Sequence, residues 1–179
     1  MTDWGMAAVA TRERLARRIR SRSHLTGDFV LRSGAKSSEY FDKYLFEADP
    51  ALLWDIAEAM APLVPEGTDA LAGLELGGVP LATALSQVTG LPARFVRKKA
   101  KTYGTSRLAE GGDIEGKNLL VVEDVVTTGG QVRASVAELR ARGAIVDRVL
   151  CVIDREQGGA ESLADDGIKL MPLFTASDL

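Results

Sequence analysis

Leu119-Leu120-Val121-Val122-Glu123-Asp124-Val125-Val126-Thr127-Thr128-Gly129-Gly130 is an apolar run that meets two adjacent carboxylates, two more valines and then a turn of hydroxyls and glycines. The run reads as a buried strand. Beyond it Val132, Val136 and Leu139 recur at helical spacing as far as Gly143, a helix stop. The turn therefore joins a strand end to a helix start, a place that suits anions. The first N–H groups of a helix lack intrahelical acceptors and carry partial positive charge, glycines let the backbone approach closely, and Thr127 and Thr128 add hydroxyl donors. Glu123 and Asp124 would repel a phosphate and need another partner. The 2′,3′-diol of a ribose, which donates hydrogen bonds to carboxylates, is one that fits. Turn and acids together suit a phosphorylated sugar. The spacing is not that of a Walker A loop, which needs Gly-Lys-Ser/Thr, nor the G-x-G-x-x-G of a dinucleotide site.

Outward from this stretch, strand-like and helix-like segments alternate. Ala70 to Leu76 reads as a strand, Val79 to Val88 as a helix and Ala93 to Val96 as a strand; after the central strand and its helix, Val146 to Ile153 and Ile168 to Leu173 add two more strands. Such alternation predicts an α/β fold, a parallel sheet covered by helices on both faces, with ligands outside the carboxyl ends of the strands. Residues 98–117 interrupt the pattern. Their Thr, Gly, Ser, Glu and Lys content without apolar periodicity predicts a long mobile loop of the kind that forms lids. No repeat or linker divides the 179 residues, which read as a single domain.

Composition narrows the function classes. At 46% apolar the chain can bury a substantial core, and a net charge of −3 argues against nucleic acid as a partner. No stretch reaches membrane-spanning length and no signal-peptide core is present, so no membrane partner is expected and the cytoplasm is the expected compartment. Cys151, the single cysteine, lies in the apolar run Val149 to Ile153 and reads as a buried, inert thiol. One His and one Cys argue against a dedicated zinc site. His24 reads as a residue at a helix end. Arg12, Arg14, Arg17, Arg18, Arg20 and Arg22 read as the solvated face of a first helix whose other face carries Leu15 and Ile19.

The run from Val122 to Gly130 resembles the phosphoribosyl pyrophosphate (PRPP) loop of the type I phosphoribosyltransferases, whose pattern is an apolar strand, two acids, two apolar residues and a Thr/Gly turn. Three further segments resemble the orotate phosphoribosyltransferases within that family, and the likeness spans about residues 25–175. Gly73-Leu74-Glu75-Leu76-Gly77-Gly78-Val79-Pro80 aligns with the pyrophosphate-contacting loop, with Gly77 where many members have lysine. Arg97, Lys98 and Lys101 match a basic stretch at the root of a flexible loop, and Tyr103 stands at a position usually held by histidine. Phe29 to Ser37 followed by Tyr40-Phe41 resembles a small N-terminal hood, formed mainly by about residues 1–45 with the C-terminal segment, with Arg32 in place of a more usual lysine. Arg155, in Ile153-Asp154-Arg155-Glu156, matches an arginine that holds the orotate carboxylate bidentately.

The resemblance implies a PRPP site made of Arg97, Lys98, Lys101, Tyr103, Gly77, Gly78, Glu123, Asp124, Val125, Val126, Thr127, Thr128, Gly129, Gly130 and Gln131, with Lys101 and Asp124 catalytic. It implies an orotate site of Arg32, Tyr40, Phe41, Thr127 and Arg155. Mg²⁺ is the implied cofactor, held by substrate and water with no dedicated protein ligands, and a homodimer is implied in which the loop reaches the neighbouring site. PRPP and orotate would react to orotidine 5′-monophosphate. Two alternatives stay open: a phosphoribosyltransferase for another base, and a regulator that senses PRPP without turnover.

Overall fold

The computed structural model describes residues 3–30, 34–98 and 107–179. The chain begins with α1 (Asp3–Ser23), a hairpin of β1 (His24–Val30) and β2 (Lys36–Phe41), and two helices, α2 (Tyr44–Glu47) and α3 (Pro50–Met60). There follow β3 (Ala70–Leu74), α4 (Gly78–Thr89), β4 (Ala93–Val96), β5 (Ala109–Glu110), β6 (Leu119–Val126), α5 (Gly130–Arg140), β7 (Arg148–Asp154), α6 (Gly159–Ala164) and β8 (Lys169–Thr175). The hairpin is antiparallel. The other six strands form one sheet in the order β5-β4-β3-β6-β7-β8, parallel apart from the antiparallel edge strand β5.

Alternation along the strands splits the core into two layers, as the pleat of a sheet requires. Leu71, Leu120, Val122, Leu150 and Val152 face α1, α3 and α4, while Ala70, Ala72, Leu119, Val121, Val149 and Cys151 face the other way, toward Val132, Val136 and Leu139 of α5 and Leu163 of α6. The parallel sheet with helices on both faces is therefore as expected. β6, the central strand, is buried over nearly its whole length, which explains its uninterrupted apolar reading.

The structure departs from expectation in several places. No element was anticipated over Pro50–Met60, yet it forms α3: Asp49 caps it, accepting from Leu52 N–H at 3.1 Å, proline occupies the first turn, and Leu52, Ile56, Ala57 and Met60 are buried on one face. Of the expected loop of residues 98–117, residues 99–106 lie outside the described residues. Its second half carries β5, paired with β4, and buries Leu108 and Ala109; two residues are too few to show a period. β3 ends at Leu74 and not at Leu76, because the chain turns away there into α4. Helix α5 stops at Arg140, three residues before Gly143, which takes a left-handed φ of 82° in the following turn.

The arginines of α1 are not simply solvated. Arg12 pairs with Asp178 at 3.1 Å and stacks 4.6 Å from the Phe174 ring centroid, Arg18 pairs with Asp55, and Arg20 donates to the Leu179 carbonyl. With Leu15 and Ile19 buried beneath, these contacts fasten α1 to α3 and the C-terminal segment.

Candidate active site

The carboxyl end of β6 carries the acid pair into a buried cluster. Asp124 is fully buried: Oδ1 accepts from Val125 N–H, and Oδ2 lies 2.7 Å from the Lys43 ammonium, which enters from the start of α2. Glu123 is also buried, and its Oε1 accepts from Asp124 N–H at 3.1 Å. Glu47, one helical turn beyond Lys43, brings a third buried carboxyl to the same place. Neither Glu47 Oε1 nor Asp124 Oδ2 has an aligned hydrogen-bond donor among the described residues, although Lys43 stands within ion-pair range of the latter. A protonated Glu47 would supply a donor to Asp124.

The charges follow from that arrangement. Burial, reinforced by the hydrogen bond and charge of Asp124, pushes the Glu47 carboxyl up to about 9 and raises Glu123 well above the ordinary carboxyl range. Burial acts the same way on Asp124, but hydrogen bonds from Glu123, Glu47 and Lys43 outweigh it and hold that carboxyl low. Burial opposes the Lys43 charge, and Asp124 restores it and raises the ammonium. Lys43 and Asp124 thus favour their charged forms, while Glu47 and Glu123 favour the neutral one.

Stability should record the Glu47 proton. A carboxyl whose folded pKa lies above its unfolded value of about 4.3 contributes stability that is complete below the unfolded value and is lost as pH rises through the folded one. Glu47→Gln cannot lose a proton, so its Tm relative to the parent should climb as pH rises from about 5 to about 9. Thermal melts at both ends of that interval test this; a constant difference would place Glu47 outside the cluster's proton balance.

Thr127, Thr128, Gly130 and Gln131 are exposed at the start of α5, and among the described residues no side chain caps that helix. Its first amides therefore stay open to an anion. Gly129 adopts a left-handed φ of 76°, which glycine takes without steric cost. The turn is held from behind by the start of α6, packed so closely that a β-carbon on Gly159 would lie 2.5 Å from the Thr127 carbonyl. Val126 is a core residue of the α5 side and Val125 packs on the opposite layer, so any part they take in the site is through the backbone.

β7 lies beside β6 in parallel register, Val126 opposite Asp154, which brings Arg155 level with Thr127. Arg155 N–H donates to the Val126 carbonyl at 2.9 Å, and the guanidinium lies 5.8 Å from the Phe41 ring centroid. The two border a cavity of about 520 Å³ with Tyr40, His24, Arg20 and Ile153. Tyr40 also pairs with Phe29, ring centroids 5.4 Å apart. His24 starts β1 at the end of α1, as expected, and faces Glu39 at 3.4 Å. A larger groove of about 770 Å³ between α1, α3 and β8 contains none of the acid cluster or the α5 turn.

The remaining expected residues divide into three groups. Arg32, Lys101 and Tyr103 lie outside the described residues. Arg97 is turned toward Glu110 of β5, 3.5 Å away, and Lys98 is exposed while its backbone N–H donates to the Glu75 carboxylate. Gly77 and Gly78 begin α4 directly against the acids: a β-carbon at 77 would overlap Asp124 Oδ2 and approach Glu47 Oε1 to 2.7 Å, and one at 78 would overlap the Val122 carbonyl. Lys43 and Glu47 were not anticipated. Their only sequence signal is a cation and an acid one turn apart after Phe41, and nothing local says that this turn sits over β6.

Residues 46–171 match the phosphoribosyl transferase domain. The orotate phosphoribosyltransferase of Nocardioides sp. is 56% identical over 165 residues, 92% of each chain, and that of Methanocella arvoryzae is 47% identical over 153 residues, 86% of this chain and 87% of the other. The orotate phosphoribosyltransferase of Mycobacterium tuberculosis, solved in complex with PRPP, superposes with a TM-score of 0.80 at 29% identity, covering 94% of this chain and 98% of that one. An acid pair at a central strand end, an open helix start beside it and an arginine on the adjacent strand are thus carried on a type I phosphoribosyltransferase fold, and the chain belongs to the orotate phosphoribosyltransferase family.

Proposed function

We propose that this enzyme transfers the 5-phosphoribosyl group of PRPP to orotate, giving orotidine 5′-monophosphate and pyrophosphate, in the synthesis of pyrimidine nucleotides. The observation that carries this reading is the juxtaposition on β6 and β7: the Glu123–Asp124 pair, the uncapped start of α5, and Arg155 beside Phe41 at the edge of a cavity. Thr127 to Gln131 cradle the 5′-phosphate with backbone amides and hydroxyls, with Thr127 also at the edge of the base site. Asp124, charged and fixed, accepts from the ribose diol together with Glu123. Arg155 grips the orotate carboxylate, and Phe41, Tyr40 and Arg32 complete the base site.

Breaking the bond between ribose C1 and pyrophosphate leaves an oxocarbenium-like sugar and a polyanion, so the site must hold the reactants in line and neutralise the leaving group. Arg97, Lys98 and Lys101, with Tyr103, are assigned to that neutralisation, and Gly77 and Gly78 to close backbone approach at the start of α4. For Arg97 this requires release from Glu110. Carried by the substrate, Mg²⁺ would add to the neutralisation of the leaving group. The donor set fits a metal carried by the substrate, since Asp124 is already paired with Lys43. A homodimer in the cytoplasm, with the basic segment reaching the partner's site, completes the reading; no helix among the described residues is long and apolar enough to cross a membrane.

Orotate consumption, followed by absorbance with and without PRPP and Mg²⁺, tests the reaction, and a panel of uracil, adenine and hypoxanthine tests the base. Turnover of another base in preference to orotate would overturn the assignment. Arg155→Ala should raise KM for orotate about 10- to 150-fold, since a charge-assisted contact is worth roughly 1.5–3 kcal/mol, with little change in KM for PRPP. Equal losses for both substrates would remove Arg155 from the base site.

A further inference from the structure

The Lys43 ammonium and the β-carbon position of residue 77 both lie against the same oxygen, Asp124 Oδ2. The glycine leaves the space and α2 fills its neighbourhood with a cation. Glu47, one turn along α2, points a second carboxyl into the same space, with its Oε1 buried and without an aligned donor among the described residues. Without Lys43 three buried carboxyls, Glu47, Glu123 and Asp124, would share one small volume, and mutual repulsion would leave them sharing protons. Asp124 is the member nearest the uncapped α5 turn by sequence and the one paired with the cation, so its charge depends on what α2 delivers.

We propose that Lys43 is a positioning residue for the transferase reaction: from α2 it holds the Asp124 carboxylate ionised and oriented for the ribose of PRPP, in a space that Gly77 keeps clear. The assignment of Asp124 to ribose rests on the reading above; the pairing itself does not. Lys43 does not need to touch the reacting atoms. Its effect passes through Asp124, which places the hood, and not only the sheet, in control of the acid pair.

The groups facing Asp124 define what a titration would report. Among the described residues they are Lys43 and Glu47 on α2 and Glu123 on β6, with Asp42 and Tyr44 acting on the α2 pair and Cys151 within electrostatic reach on β7. Loss of an opposite charge at this range moves an aspartate by about 1–3 pH units.

The test uses the full chain, Lys43→Met and Lys43→Arg. The Asp124 carboxyl carbon is followed by NMR as pH is varied without ligand, and PRPP binding is measured by calorimetry from about pH 8 down to one unit below the Asp124 midpoint of Lys43→Met. In Lys43→Met the Asp124 midpoint should move up by about 1–3 units, and PRPP affinity divided by that of the parent should fall as pH is lowered through the moved midpoint, about tenfold at one unit below it. Phosphate groups of the ligand titrate in this range but cancel in the ratio. Lys43→Arg should keep both close to the parent. An unmoved Asp124 midpoint overturns the pairing, and a moved midpoint with a flat affinity ratio overturns the positioning role, since a purely structural lysine would lower affinity equally at all pH values. A parent that binds no PRPP overturns the substrate reading and with it the purpose given to Lys43, while the carbon titration still decides the pairing. If Lys43→Met fails to fold, Lys43→Met/Glu47→Gln removes the excess acid together with the cation and answers the same question.

Discussion

Gly77→Ala is expected to raise KM for PRPP by about one to two orders of magnitude while KM for orotate changes little. The added methyl would occupy the position of Asp124 Oδ2 and crowd Glu47 Oε1, so either the carboxylate must leave Lys43 or the start of α4 must move outward. Overpacking a close contact costs roughly 1–3 kcal/mol. Much of this should appear in activity, because the displaced group is the Asp124 carboxylate proposed for the ribose and not a member of either apolar layer. Gly78 behaves differently. Its β-carbon would meet the Val122 carbonyl, a backbone group fixed in the central strand, so Gly78→Ala should act mainly on Tm. Steady-state kinetics and melting of the two variants separate these effects. An unchanged KM for PRPP in Gly77→Ala would mean that the Asp124 position does not matter to the sugar.

Asp124→Asn should lower kcat/KM for PRPP about 10- to 150-fold, the equivalent of roughly 1.5–3 kcal/mol for hydrogen bonds to a charged acceptor. The position at a strand end already suggests that the charge serves a ligand. The structure adds that this charge is also a buried ion-pair partner, and removal of one member of such a pair is ordinarily severe. Here two neighbouring acids soften the loss. Burial, reinforced by Asp124, raises the Glu47 and Glu123 carboxyls in the parent, and with Asp124 neutralised either can release its proton to become the new counterion of Lys43. The Asn amide can in turn donate to Glu47 Oε1. Tm at neutral pH is therefore expected to stay within a few degrees of the parent while activity falls. A variant that melts like the parent with unaltered kcat/KM would remove Asp124 from the ribose site, and one that unfolds at neutral pH would show that the neighbouring acids do not take over its charge.

Features that depend on residues close together in the chain were legible without a structure. The strand Leu119 to Val126, the acids at its end and the glycine turn into α5 form one continuous segment, because a buried parallel strand is apolar throughout and a ligand turn follows it directly. The parallel sheet followed from repetition of that unit, and the resemblance carried by a few short motifs pointed to the same family that the comparisons show. Arg155 could be placed because it follows its strand as Thr127 follows β6, and parallel register makes the two level.

What the sequence could not determine lies where distant segments meet. The counterion of Asp124 comes from Lys43, 81 positions earlier, just ahead of a helix of four residues that is too short to leave a period. The partner of Arg97 lies on the two-residue strand β5, inside a segment whose polar composition reads as loop. Arginines that look solvated on α1 are tied to Asp55, Asp178 and the Leu179 carbonyl, because folding brings the C-terminus across the first helix. The chain alone therefore determined which groups could bind a phosphorylated sugar and along which strand ends they lie. Only the tertiary structure decided which acid carries the charge, since ionisation in a buried cluster depends on distances and desolvation among α2, the start of α4 and β6 that no local pattern encodes.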